Sequence, residues 1–133
     1  MANAEIQITL REGEPAGALL RYDPGGVMRG EVRLTANEQV NCRGAYLRLM
    51  WHTEGRGDRD EAKVNEIVLA TGAIPAGTNV ARAFEFNLPQ EPWSYVGKCV
   101  NIIWEVIGVM DVPIAKDVIV SEQFILAPQR QAR

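Results

Sequence analysis

The sequence is poor in the side chains that carry covalent chemistry. Its 133 residues hold one histidine, His52, with two cysteines, Cys42 and Cys99, and two serines, Ser94 and Ser121. A zinc site draws three or four His, Cys or carboxylate ligands at close spacing, and this chain fields no such set. A Ser-His-Asp relay would have to pair His52 with one of two serines distant in sequence. An enzyme is not expected, and neither a catalytic residue, a cofactor nor a metal ligand is assigned. Long apolar runs are also missing, and none reaches the roughly 18 residues of a membrane span. Basic charge is scarce. Fourteen Lys+Arg against seventeen Asp+Glu give a net charge of −3, with no basic block to neutralise phosphates, so nucleic acid is not an expected partner. The opening residues, MANAEIQITL, lack the basic segment and apolar stretch of a secretory signal. A cytoplasmic protein with two free thiols is the expectation.

What is present is a succession of strands and turns. Apolar residues make up 47% and charged residues 23% of the chain, which is globular and not disordered. Ile6, Ile8 and Leu10 alternate with Gln7 and Thr9, the period of a half-buried strand. Residues 19–22 follow, then the turn signal Asp23-Pro24-Gly25-Gly26. In 27–34, Met28, Gly30, Val32 and Leu34 share one face while Arg29, Glu31 and Arg33 take the solvated one. Residues 42–53 put Ala45, Leu47, Leu49 and Trp51 on one face and Tyr46, Arg48, Met50 and His52 on the other. Short strands are expected over 67–71 and 83–88, the second with Phe84, Phe86 and Leu88 inward. Pro89, Pro92 and Gly97 mark a long irregular connection. Residues 100–109 are apolar on both faces, as in a central strand, and 117–126 close the fold. No amphipathic helix is found; the best candidate, 58–68, has too few apolar residues to make a stripe. About eight evenly spaced strands predict an all-β, two-layer antiparallel sandwich of immunoglobulin-like or arrestin-like type. It would span residues 1–127, leaving 128–133 as a flexible tail.

Three segments together resemble the N-terminal half of the arrestin-like proteins, including their small bacterial sporulation-control relatives. They are Tyr22-x-Pro24-Gly25-x-x-Met28-x-Gly30-x-Val32-x-Leu34; Leu47-x-Leu49-x-Trp51-x-Thr53-Glu54-Gly55-x-Gly57; and Phe84-x-Phe86-x-Leu88-Pro89 with Pro92-x-Ser94-Tyr95-x-Gly97, Trp104-x-Val106, Asp111-x-Pro113 and Asp117. The resemblance covers residues 17–126. It implies a bacterial, non-catalytic scaffold or adaptor that binds other proteins. Arrestins proper have two sandwiches and a buried ionic switch drawn from both; one sandwich's worth of strands gives no such switch here. Met28 stands where the family has valine, and Gly26 where an acidic residue is common.

Several short motifs have plain structural readings. Cys42, Trp51 and Cys99 follow the Cys…Trp…Cys order of immunoglobulin domains. There, however, the Trp and the first Cys lie on different strands, and here no turn separates Cys42 from Trp51. Arg56-Gly57-Asp58 spells an adhesion tripeptide but reads as a charged hairpin loop. Asp58, Asp60 and Glu61 lack the glycine and closing glutamate of a calcium loop. His52 is expected to be a solvated or hydrogen-bonded histidine at a strand edge. The favoured function is a protein-interaction module whose partner contacts the loop Glu54, Arg56, Asp58, Arg59 and Asp60, or an exposed sheet edge. The alternatives are self-assembly into a homo-oligomer through open sheet edges and a carbohydrate or small-ligand site on Trp93 and Tyr95.

Overall fold

A computed structural model describes residues 4–57, 59–113 and 117–129. Ten strands form in chain order: β1 (Ala4–Arg11), β2 (Glu14–Ala16), β3 (Leu19–Tyr22), β4 (Val27–Ala36), β5 (Val40–Gly55), β6 (Glu61–Ile74), β7 (Asn79–Asn87), β8 (Tyr95–Val96), β9 (Val100–Asp111) and β10 (Val118–Leu126). They make two sheets, β1-β4-β7 and β2-β3-β10-β9-β5-β6, with β8 also pairing β9. The architecture is the expected all-β sandwich. The eight expected strands are all present, and the two additional ones, β2 and β8, are only three and two residues long. No helix among the described residues is long and apolar enough to cross a membrane.

The alternation read from the sequence sets the register. β1 and β7 flank β4 antiparallel, with Ile8 opposite Val32 and Phe84 opposite Gly30. Their inward residues Ile6, Met28, Val32, Leu34, Phe84 and Phe86 are buried against Leu47, Leu49, Trp104, Val106 and Phe124 of the other sheet. Burying a side chain of this size contributes roughly 1.5–3 kcal/mol, so this interlayer is the main source of stability. Gly30 marks a close approach and not a bulge: both β4 ladders run without a register shift. A Cβ there would stand 2.5 Å from both the Phe84 ring and the Thr9 carbonyl oxygen. The Asp23–Gly26 turn closes through Gly26 N–H donating to Asp23 O at 3.0 Å, with Gly25 at φ +74°. Pro24 and a left-handed Gly25 are what a type II turn demands. Beside it, the Tyr22 hydroxyl donates to Arg11 O at 2.8 Å, and burial pushes the phenol up to about 12.

Two details differ from the sequence reading, the length of β6 and the place of His52, and the cysteines agree with it. The strand expected over 67–71 extends to 61–74. Its first residues carry charge because β6 is an edge strand, and three register shifts against β5 break the period-2 pattern. The Cys42 and Trp51 side chains do share one strand, β5, and the two cysteines are unbridged, Cys42 buried and Cys99 exposed. His52 is hydrogen-bonded, as one of the two expected alternatives had it, but it is neither solvated nor at a sheet edge. It is 5% exposed, because β5 lies between β6 and β9.

Candidate functional site

The β5–β6 hairpin and the connection from β7 to β9 meet at one end of the larger sheet. The hairpin closes where Thr53 N–H donates to Asp60 O at 2.8 Å and Asp60 N–H donates to Thr53 Oγ1 at 2.9 Å. Its tip is clipped to the neighbouring connection by Arg56 N–H donating to Cys99 O at 3.0 Å. Gly55 makes the clip possible. It sits at φ +144°, and a Cβ on it would lie 2.1 Å from Cys99 O.

The connection is irregular but pinned along its length. Gly25 N–H donates to Pro89 O at 3.0 Å, and the Trp104 indole N–H reaches Pro92 O at 2.8 Å. Ser94 is bound in both directions to Leu126, its N–H donating to Leu126 O at 2.8 Å and its Oγ accepting from Leu126 N–H at 2.9 Å. Tyr95 and Val96 then pair with Ile102 and Asn101 as β8. The side chains held this way face water: Trp93 is 51% exposed, Tyr95 55% and Val96 88%, with Val100 beside them. Tyr95 and Val96, consecutive on β8, project to opposite sides of that strand, so the connection shows apolar side chains on both of its faces.

The structure brings together four of the five loop residues expected to bind a partner. Asp58 lies outside the described residues. Arg56, Arg59 and Glu54 line a shallow cleft with Thr53, Gly55 and Val100. Arg59 pairs at 3.8 Å with Glu61, whereas Arg56 and Lys98 have no carboxylate partner among the described residues. The Glu54 carboxylate is engaged by His52. Its Oε2 lies 2.8 Å from His52 Nε2.

His52 was weighed as a possible base, and its neighbours decide against a serine relay. On its other side, Nδ1 stands 2.9 Å from Glu105 Oε1, close but not aligned as an N–H bond. The Ser121 hydroxyl donates to Glu105 Oε2. The carboxylate therefore sits between serine and imidazole, whereas activating the hydroxyl requires the imidazole to accept its proton. The arrangement satisfies a buried Glu105 and ties β5, β9 and β10 together on the outer face. Sequence reasoning missed it, because its members are brought together only by the pairing of three strands. No group of three or more His, Cys, Asp or Glu among the described residues is placed to hold a metal ion. Of the two rings considered as a stacking platform, Trp93 has its indole N–H committed to Gln90 O at 2.9 Å.

The geometry defines a two-sheet sandwich presenting a braced, partly apolar end surface. No family model matches the sequence, and no curated protein matches it. Among solved structures, it is similar to the sporulation control protein Spo0M of Bacillus subtilis, with a TM-score of 0.71 at 19% identity. The superposition covers 97% of this chain and 51% of the other, so the chain spans about half the length of that structure. The likeness supports the arrestin-like, Spo0M-type fold inferred from the motifs.

Proposed function

We propose that this chain is a non-catalytic protein-interaction module, and that it binds through the end surface built from the β5–β6 tip and residues 93–100. The observation that carries this reading is the pairing of exposed apolar side chains with positive charge that has no carboxylate partner among the described residues, on a braced backbone. Trp93, Tyr95, Val96 and Val100 are exposed, and Arg56 and Lys98 flank them. Protein interfaces place aromatic anchors at the centre and charge at the rim. A surface whose backbone is already hydrogen-bonded loses little conformational entropy on binding. The fitting partner is a protein segment carrying apolar side chains next to carboxylates. A likeness to a sporulation control protein is consistent with a regulatory role of this kind, and the cytoplasm is the compartment where it would act.

The test is affinity capture from source-cell lysate with three baits: the wild-type chain, Arg56→Glu/Lys98→Glu, and Tyr95→Ala/Val96→Ser. The expected result is one or two proteins captured by the wild type and lost by both variants. Capture that both variants retain removes this surface from the account, and so does the absence of any specific capture.

A further inference from the structure

The two free edges on one side of the sandwich are built differently. β6 ends the larger sheet and β7 ends the smaller one. β6 carries Glu61, Lys63 and Glu66, and its pairing with β5 shifts register at three places. Charges and bulges are the usual guards against strand addition. β7 lacks them. It pairs with β4 over nine consecutive residues without a shift, contains no proline or lysine, and presents Asn79, Ala81, Ala83, Glu85 and Asn87 outward.

The N-terminal half of β7 is also uncovered on its inner side. Val80 and Arg82 have the inward parity of Phe84 and Phe86, yet Val80 is 55% exposed and Arg82 is exposed as well. An inward charge normally guards an edge. Arg82, however, is turned across the gap, its Nη1 donating to Val68 O of β6 at 3.2 Å. The charge is thereby spent on the neighbouring sheet and does not stand over the β7 backbone.

We propose that the β7 edge is a homodimerisation surface, on which β7 of a second copy adds antiparallel about a two-fold axis at Ala83. The occupant follows from the strand's own pattern. A two-fold centred on Ala83 uses the whole strand, placing Asn79 opposite Asn87, Val80 opposite Phe86, Ala81 opposite Glu85 and Arg82 opposite Phe84. No like charges then face each other. Centring on Arg82 sets two guanidinium groups face to face, which disfavours that register, and centring on Ala81 or Phe84 leaves part of the strand unpaired. The pairing joins two three-stranded sheets into one of six, the symmetric and self-complementary contact expected of a dimer. This surface is separate from the β5–β6 tip, and the two proposals stand or fall independently.

The test is solution mass by sedimentation or light scattering from about 10 μM to about 1 mM. The wild-type mass should rise from 14.7 kDa toward twice that value. Ala83→Lys places two ammonium groups on the two-fold while facing Glu31 in its own sheet, so it should fold and associate at least tenfold more weakly. An equimolar mixture of Ala83→Lys and Ala83→Glu should regain the dimer. Ala81→Glu, opposite Arg33 in its own sheet but Glu85 of the second copy, should weaken the dimer too and serves if Ala83→Lys misfolds. Arg56→Glu should leave the mass unchanged. A wild type that stays at the monomer mass throughout overturns the proposal, as does association indifferent to both β7 variants or abolished by Arg56→Glu.

Discussion

Replacing Gly55 by alanine tests how the end surface is held. The new Cβ would stand 2.1 Å from Cys99 O and 2.9 Å from Val100 Cα, both backbone atoms that cannot swing aside. Reaching the 3.0 Å floor of real Cβ contacts requires the tip to move from the connection by about 0.9 Å. The Arg56–Cys99 hydrogen bond, now 3.0 Å, would then stretch beyond a bonding distance. Its loss costs about 0.5–1.5 kcal/mol, and forcing an L-residue into this backbone region adds about 1–3 kcal/mol. The expected destabilisation of the tip is about 2–4 kcal/mol. Gly57→Ala is the internal control. It also has positive φ, at +90°, but its Cβ would meet nothing within 4 Å, so only about 1–2 kcal/mol of backbone cost is expected. Urea titration gives the global effect, and amide exchange at Arg56 gives the local one. Exchange there should quicken by roughly tenfold for each 1.4 kcal/mol. The reasoning is refuted if Gly55→Ala costs no more than Gly57→Ala, or if the Arg56 amide stays as protected as in the wild type.

Other expectations follow from single contacts. Glu66 is held below the ordinary carboxylate value of 4.5, chiefly by its hydrogen bond from Arg48. Its contribution is complete above that value and is lost as pH falls through the lowered native one, so Glu66→Gln should flatten the acid limb of a stability–pH curve. Alkylation of the native protein should modify Cys99 alone, because Cys42 is buried, donates to Gly72 O at 3.0 Å and has its thiol pushed up by burial. Mass spectrometry showing equal labelling of both would contradict this packing. Glu12 adopts φ +61° without being glycine. Such a conformation costs an L-residue about 1–2 kcal/mol, and the exposed 3.6 Å pair with Arg29 offsets little of it. Glu12→Gly should therefore raise stability by about 0.5–1 kcal/mol in denaturant titration, and a loss of stability would count against the strain.

The sandwich was legible because its inward positions are uniform. Ile6, Ile8, Met28, Val32, Phe84 and Phe86 keep strict alternation, and period 2 maps directly onto one buried face. β6 was legible only in part, since an edge strand is free to carry charge and its bulges scramble the alternation. β8 is two residues long and holds no pattern. The position of the tip was readable from Glu54-Gly55-Arg56-Gly57, but the roles of its residues were not. Glu54 and His52, two apart on β5, share a face as period 2 requires, whereas their junction with Glu105 and Ser121 depends on the pairing of three strands. Trp93 and Tyr95 were readable as a surface platform, but their place beside the tip and the exposure of Val96 were not, because both are decided by what pins the backbone. Here the pins are the Trp104 indole and Ser94, both distant in sequence from the tip.

The most direct test of the central claim is hydrogen-exchange mass spectrometry of this chain alone and saturated with the protein it captures. The account predicts slowed exchange over residues 53–60 and 93–100, with β6 and the outer face of β5 unchanged. Protection confined to other parts of the sandwich, with the tip and the 93–100 connection exchanging as in the free chain, would contradict it.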